Sequence, residues 1–449
     1  MSIRALAVLA VLGVATTGAS APDTETPMSS SDAAGRVVDA IEEPAVRELV
    51  RESLARNPTV ATAAAVARAS LQQAPQAQAL PDPVVGVTGY LSSPETRVGP
   101  QRLIATLSQR LPWSGKRGLR EQAALRQAHA LVADVGARRL DLVTEVRRLG
   151  YEIAYLDAFR RVVETDRDTL IHYERLARAR YASGVGIEQS VIKIQAEITK
   201  DDSRLLDIAA RRATLVAALN ALRDRPQGTP VFEIELPRAT KVAPPLAVLR
   251  ARALDARPEL DAAAADVARA DTLIELARKE YKPDFTVGVT YGLVTGRDVG
   301  VGFMPPPDNG KDVFGISLSL NLPIKHGRLD AGLEAAAERR IAAVARKRDV
   351  TTVIDRALGE LVERLRLSGK QVRLFERVLL IQAEQSLRSA ESGYAAGSLN
   401  SLDLLDAERV LLEVRTGTER ARADHAVALA RLEGAIGGPL GPETEGAKP

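Results

Sequence analysis

YAAGSLNSLDLLD, residues Tyr394 to Asp406, decides the reading of this chain, because an echo of it, YASGVGIEQSVIKIQAE, begins far upstream at Tyr181. Each copy sets an aromatic residue and a glycine between two long alanine-rich segments of helical period, the chemistry of a helix end that reverses direction. Both read as tips of helical hairpins, about 181–187 and about 394–399. Beyond the second tip, Asp403 and Asp406 stand three apart, so a helix there carries both carboxylates on one face. In a ring of subunits they become a ring of negative charge; in an isolated helix they merely complement the positive end of its dipole.

Outward from the tips, the flanking segments keep that period. Gly118 to Arg180 contains no proline and repeats Leu142, Val146, Leu149, Ile153, Leu156, Val163, Leu170 and Ala177 at heptad spacing. Such a seam predicts left-handed supercoiling against neighbouring helices. A second seam follows Gly327: Ile354, Leu358, Leu361, Leu365, Val372, Phe375, Leu379. Each long helix has about 66 residues and so spans roughly 100 Å. Shorter helical segments, 45–79 with 188–222 and 246–281 with 398–437, match that reach if stacked end to end in pairs.

Between the short and long helices of each half lies a strand pair, about 84–111 and about 285–322. In the second, Phe285, Val287, Val289, Tyr291 and Leu293 alternate with Thr286, Gly288, Thr290 and Gly292, and the return strand sets Phe314, Ile316, Leu318, Leu320 against Gly315, Ser317, Ser319. Pro305-Pro306-Pro307 and Asp308-Asn309-Gly310 mark the turn between them. One apolar and one small, polar face, at about ten residues per strand, is the pattern of an outer-membrane barrel strand. Four strands cannot close a barrel, and an open edge in hydrocarbon leaves backbone groups unpaired at several kcal/mol each. Other subunits must therefore complete the sheet, and three chains would supply about twelve strands.

The chain divides accordingly. Residues 1–21 read as a signal peptide, with Arg4 before the apolar run Ala5 to Ala15 and Ala19-Ser20-Ala21 at the cleavage spacing. Residues 22–43 read as a flexible arm, 44–223 as a first repeat, 224–245 as a proline-rich break between halves, 246–437 as a second repeat and 438–449 as a tail. The 61 basic and 58 acidic side chains nearly balance, giving no basic excess for a nucleic-acid partner. The absence of cysteine excludes disulfides, thiolate metal sites and N-terminal lipidation.

Catalytic chemistry has no foothold in the pattern. His129, His172, His326 and His425 stand singly on charged segments and read as solvated surface residues, with no HExxH, serine elbow or phosphate loop. Gly300-Val301-Gly302 is too short a glycine pattern for a nucleotide site. No cofactor or metal site is expected, and a methionine-rich copper relay is absent.

The duplicated plan, the YASG and YAAG tips, the LDLLDAE run from Leu402 and the LSQRLPWSGKR segment ending at Arg117 together resemble the TolC family of outer-membrane efflux ducts over about residues 45–437. The resemblance implies a mainly helical homotrimer: a twelve-stranded barrel in the outer-membrane lipid of a Gram-negative bacterium continues as an α-barrel tunnel through the periplasm. It implies a periplasmic membrane-fusion adaptor docked at the tips and an inner-membrane pump of the resistance-nodulation-division type. LPWSGKR is most similar to the heavy-metal branch, and Trp113 would sit at the periplasmic rim of the barrel.

Carried over residue by residue, Asp403 and Asp406 match the constriction rings, and Tyr394 the tip tyrosine that helps hold the entrance shut. Tyr181, Gly184, Ser190, Gly397 and Leu399 complete the tip and adaptor-contact set. Two positions depart from the family's best-studied gate: Leu399 replaces an arginine and Ser190 an aspartate, so an ionic lock at those positions is not expected. A protein-secretion duct shares this architecture, and a periplasmic coiled-coil scaffold outside the membrane shares the helices alone.

Overall fold

The computed structural model describes residues 33–239, 242–298, 300 and 304–441. The expected signal peptide, residues 22–32 of the arm, part of the Gly300–Gly302 loop and residues 442–449 of the tail lie outside the described residues.

In the first half, α1 (Ala33–Asp39), α2 (Pro44–Arg56), α3 (Pro58–Leu71) and α4 (Gln73–Gln78) precede the strands β1 (Val84–Gly89), β2 (Glu95–Thr96) and β3 (Gly99–Leu111). The long α5 (Lys116–Ala182) runs to the first tip and α6 (Glu188–Leu222) returns. In the second half, α7 (Leu246–Ala256), α8 (Pro258–Lys279), β4 (Phe285–Val294), β5 (Val313–Leu320), α9 (His326–Leu374), α10 (Leu380–Ala396) and α11 (Ser401–Ile436) repeat the order. Residues 33–41, expected to be part of a loose arm, are a correction. Ala34, Val37, Val38 and Ile41 recur at helical spacing and pack into the main core against α5.

Proline sets the breaks between the short helices. Pro58 opens α3, where Asn57 caps the helix by accepting from the Val60 amide at 3.1 Å; Pro258 likewise opens α8, but Arg257 before it makes no side-chain capping bond. These breaks also receive the returning helices. Asn57 Nδ2 donates to the Leu222 carbonyl at 3.0 Å at the end of α6, and Arg257 Nη1 donates to Gly434 O at 3.1 Å near the end of α11. Both junctions satisfy terminal carbonyls that a helix cannot pair itself, which is how two short helices stack end to end beside a long one.

Every expected seam residue of α5 is buried, from Leu142 to Ala177. The second seam behaves differently. Leu358, Leu365 and Val372 step by seven, but the next seam residues, Leu387 and Tyr394, come one position late for that frame. A π-helical turn at Phe375–Leu379 between α9 and α10 absorbs the extra residue. Phe375 lies against α11 where Gly417 leaves room; a Cβ on Gly417 would stand 2.3 Å from its ring. The equatorial core closes around a buried ion pair, Arg147 to Glu433 at 2.8 Å, and Glu433 also accepts the Leu440 amide at 3.2 Å.

The sheet runs β1-β3-β4-β5, antiparallel throughout, with β2 a short appendage of β3. Its register aligns Val85, Leu107, Val289 and Ile316 in one row and Val87, Ala105, Tyr291 and Phe314 in the next. On that face Val85, Val87, Ile316 and Phe314 are exposed by 61–77%. The other face carries Gly86, Thr106, Gly288 and Ser317, packed closely enough that a Cβ on Gly288 would meet Ser317 Oγ at 2.6 Å.

Asp284, immediately before β4, joins this sheet to the helices. Its carboxylate accepts from Arg110 Nη2 at 2.9 Å, the Trp113 amide at 3.0 Å and Lys116 Nζ at 2.9 Å. Lys116, in the first turn of α5, is 1% exposed and also donates to the Lys282 carbonyl. Trp113 stacks on Phe285 with centroids 5.7 Å apart. Burial pushes the Asp284 carboxyl up, but the bonds from Lys116, Trp113 and Arg110 outweigh it and hold the pKa down to about 2. Its contribution to stability is therefore present above the ordinary carboxylate range and is lost as pH falls toward 2. Replacing Asp284 with alanine leaves the buried Lys116 ammonium with only the part-exposed Glu280, 3.7 Å away, as counter-ion, at a cost of about 3 kcal/mol. Thermal melts at neutral pH should show this loss; a melt unchanged within about 0.5 kcal/mol would contradict the role given to Asp284.

Candidate functional site

The two tips are built by the same backbone device. Gly184 and Gly397 both take φ of +77°, and their amides donate to Tyr181 O at 3.0 Å and Tyr394 O at 3.1 Å. In each the next two amides, of Val185 and Gly186 or of Ser398 and Leu399, turn back to one carbonyl, Arg180 O or Gly393 O. Left-handed backbone at this point is open to glycine without steric penalty.

The helices that leave the two tips start differently. Asn400 caps α11 by accepting from the amides of Leu402 at 2.7 Å and Asp403 at 3.2 Å, while Asp403 Oδ2 accepts the Asn400 amide at 3.1 Å. This reciprocal box anchors the helix start. α6 begins at Ile187 with no side-chain cap.

The expected tip residues are brought together, with their roles divided. Tyr394 is buried and Tyr181 is half exposed. Arg180 stacks its guanidinium 4.7 Å above the Tyr394 ring and donates to the Tyr394 carbonyl, fastening the end of α5 to the second tip. Ser401 Oγ donates to Ser190 Oγ at 2.7 Å, a second bridge between the tips and a neutral one. Leu399 packs over Gly393, where a side chain would collide with it. Between the tips lies a groove of about 380 Å³, lined by Arg180, Val185, Ile187, Lys193, Leu399 and Leu402 among others.

Asp403 and Asp406 lie on the exposed face of α11's first two turns. Asp403 does the local work of the capping box. Asp406 has a cation in reach, Arg409 Nη1 at 3.4 Å, and Arg409 also pairs with Glu197 of α6. Burial raises the Glu197 carboxyl, but Arg409 and Lys200 together hold it below its usual range. Arg180, Arg409 and Glu197 are contributors that periodicity and motif did not single out. Their signal was positional: Arg180 directly precedes YASG where Gly393 precedes YAAG.

Trp113 lies at the junction of sheet and helices, stacked on the first residue of β4. His129, His172 and His326 are exposed, but the expectation of a solvated His425 is corrected. That ring is 4% exposed between α9 and α11, with Nδ1 3.1 Å from Ser368 Oγ. Ser368 donates its own proton to Leu365 O, so Nδ1 is the donor to Ser368. Burial lowers the His425 pKa and keeps the ring neutral. Among the described residues no group of His, Asp or Glu is placed to hold a metal ion, and no helix is long and apolar enough to cross a membrane.

Residues 49–223 and 249–438 match the family model for outer membrane efflux proteins. The chain belongs to that family. As a member it is an efflux channel of the outer membrane, a passive duct and not an enzyme. Over 325 residues it is 23% identical to the cobalt-zinc-cadmium resistance protein CzcC of Cupriavidus metallidurans, covering 72% of this chain and 73% of that protein. The fold matches the outer membrane protein VceC of Vibrio cholerae with a TM-score of 0.72 at 22% identity, covering 89% of this chain and 97% of that one. It matches the outer-membrane channel OprN at 0.76 and 17% identity, covering 92% and 93%, and CusC at 0.73 and 18%, covering 88% and 93%.

The tip geometry makes a specific forecast. Replacing Asn400 with alanine removes the cap on α11 and should cost about 1 kcal/mol. Replacing Arg180 with alanine should release the two tips from each other. Hydrogen exchange over 394–408 should accelerate in both variants, and over 176–190 only in the Arg180 variant. Equal patterns would contradict the separate roles.

Proposed function

We propose that three copies of this chain form a closed outer-membrane duct through which cations, heavy-metal ions foremost, leave the cell. The observation that carries this reading is the sheet: an exposed apolar face on four strands whose outer edges, β1 and β5, lack partners among the described residues. The strands alternate in direction, so β5 of one copy is antiparallel to β1 of the next and the ladder continues without a break. The small Gly, Ser and Thr face then lines the lumen, and the long helices prolong it into the periplasm.

Below the membrane, the groove between the tips offers apolar Val185, Ile187 and Leu399 beside the cations of Arg180 and Lys193. That chemistry suits an adaptor hairpin presenting aliphatic and acidic side chains, itself coupled to an inner-membrane pump of the resistance-nodulation-division type. The likeness to a cobalt-zinc-cadmium resistance protein supports a heavy-metal cargo. With no metal-binding cluster among the described residues, metal selectivity resides in the pump.

Asp403 and Asp406, repeated three times around the narrow end, give it a field that favours cations, strengthened by the low-dielectric walls around it. The paired Arg409 offsets part of the Asp406 charge, so Asp403 carries the larger share. In planar bilayers, changing both residues to asparagine should lower the cation-to-anion permeability ratio several-fold with little change in conductance. The Asp403 variant alone should give more than half of that effect. Unchanged selectivity in the double variant would remove the charge rings from the mechanism. Growth of a deletion strain on cobalt, zinc and cadmium salts, with dyes and antibiotics in parallel, tests the cargo. Sensitivity to the organic compounds alone would overturn the metal assignment.

A further inference from the structure

Above the tips, about 25 Å along α5 from the first tip, three carboxyls meet inside the helical wall. They are Asp166 of α5, Asp201 of α6 and Glu408 of α11, exposed by 5%, 0% and 3%. Asp201 Oδ1 accepts from Arg204 Nη1 at 2.6 Å, but Asp201 Oδ2, Asp166 Oδ1 and Glu408 Oε2 are buried without any conventional donor. The Asp166 carboxyl lies within hydrogen-bonding reach of both Asp201 and Glu408. Two ionised carboxylates only accept, so a contact of this kind exists only with a proton held between them.

The charges facing the cluster do not remove that need. From α5 comes Tyr173, whose hydroxyl donates to Glu391 of α10 at 2.6 Å. From α6 comes Arg204, bound to Asp201, and from α11 comes Arg415, which acts on Glu408 through its charge. Glu391 adds a further negative charge near Glu408. The three sealed carboxyls thus face two guanidiniums that reach out to solvent, and Arg415 is shared with Glu384 at 3.8 Å, so a proton supplies the missing positive charge inside the seam.

We propose that Asp166, Asp201 and Glu408 form a shared-proton clasp that holds the α5-α6 hairpin against α11, so that losing the proton loosens the tip end of the wall. The geometry places one partner on each helix of the hairpin and the third on α11, across the seam that must part if the tips move apart. Burial and the two carboxyl neighbours push the Asp166 pKa up to about 9, and burial also raises Glu408. In a parted, hydrated seam these groups return to about 4. The closed seam therefore binds more protons than the open one between pH about 4 and about 9, and its stability falls as pH rises through that window. Acid tightens the clasp and alkali releases it. The consequence for conduction rests on the duct reading; the clasp itself does not.

The chain has no cysteine, so spin labels enter cleanly. Exposed Ser203 on α6 and Glu413 on α11 accept them as Ser203→Cys and Glu413→Cys in the full-length oligomer in detergent. Pulsed electron resonance at pH 5, 7 and 9 should show the separation lengthening or broadening as pH rises. Asp166→Asn, whose amide donates without a charge, should hold the short distance at every pH; should it fail to assemble, Glu408→Gln carries the same expectation. Distances indifferent to pH in the parent, or an identical shift in the neutralised variant, would overturn the clasp. Bilayer conductance on the same samples should rise with pH in the parent only. Label movement without conductance at any pH would count against the duct reading and leave the clasp standing.

Discussion

An antiparallel sheet of four main strands with an apolar face outward and two unpaired edges is incomplete in any solvent, and every larger feature of this molecule depends on how it is completed. In water, Val85, Val87, Phe314 and Ile316 would expose a continuous apolar strip. In lipid, the free edges of β1 and β5 would each lose hydrogen bonds that nothing else could supply. Pairing edge to edge with further copies removes both penalties at once, because the apolar strip then faces acyl chains and no edge remains. The family to which the chain belongs resides where that solution is required.

The helices inherit their arrangement from the sheet. Asp284 gathers the end of β3, the approach to α5 and the start of β4 into one charged node, so a barrel strand and the long helix beneath it move as one piece. At the other end the contacts reach toward solvent: a serine pair, a guanidinium on a ring, the pair of half-exposed Arg409 with Glu197, and one capped helix start against one uncapped. A structure fastened by a sealed ion pair at one end and by partly exposed contacts at the other opens at the second. The duplicated halves are therefore not equivalent, and the π-turn at Phe375–Leu379, found in the second long helix alone among the described residues, marks the same asymmetry in the wall.

Periodicity made most of this legible in the amino-acid order. The α5 seam, the alternating strands, the glycine tips and the proline breaks are all matters of one-dimensional spacing, and the structure places each where that spacing puts it. Pairing between distant side chains escaped. Nothing local in LPWSGKR announces that Lys116 is sealed beneath Asp284, or that Arg180 will lie on Tyr394. His425 was legible and was missed. Thr418, Ala421, His425, Ala428 and Leu432 alternate by three and four, a buried stripe that the charged neighbours Arg422 and Asp424 disguised. α1 was hidden in the same way, its apolar positions diluted by the polar stretch before it. The Asp166 cluster needed three helices to be brought together before any of its members became unusual.

The mass of the detergent-solubilised protein, taken by native mass spectrometry after the micelle is stripped, tests the central claim most directly. A single species of three chains that returns to lipid as an ion-conducting unit is the expected result. A monodisperse single chain, stable in buffer without detergent, would mean that the sheet is complete by some other route and would contradict the account.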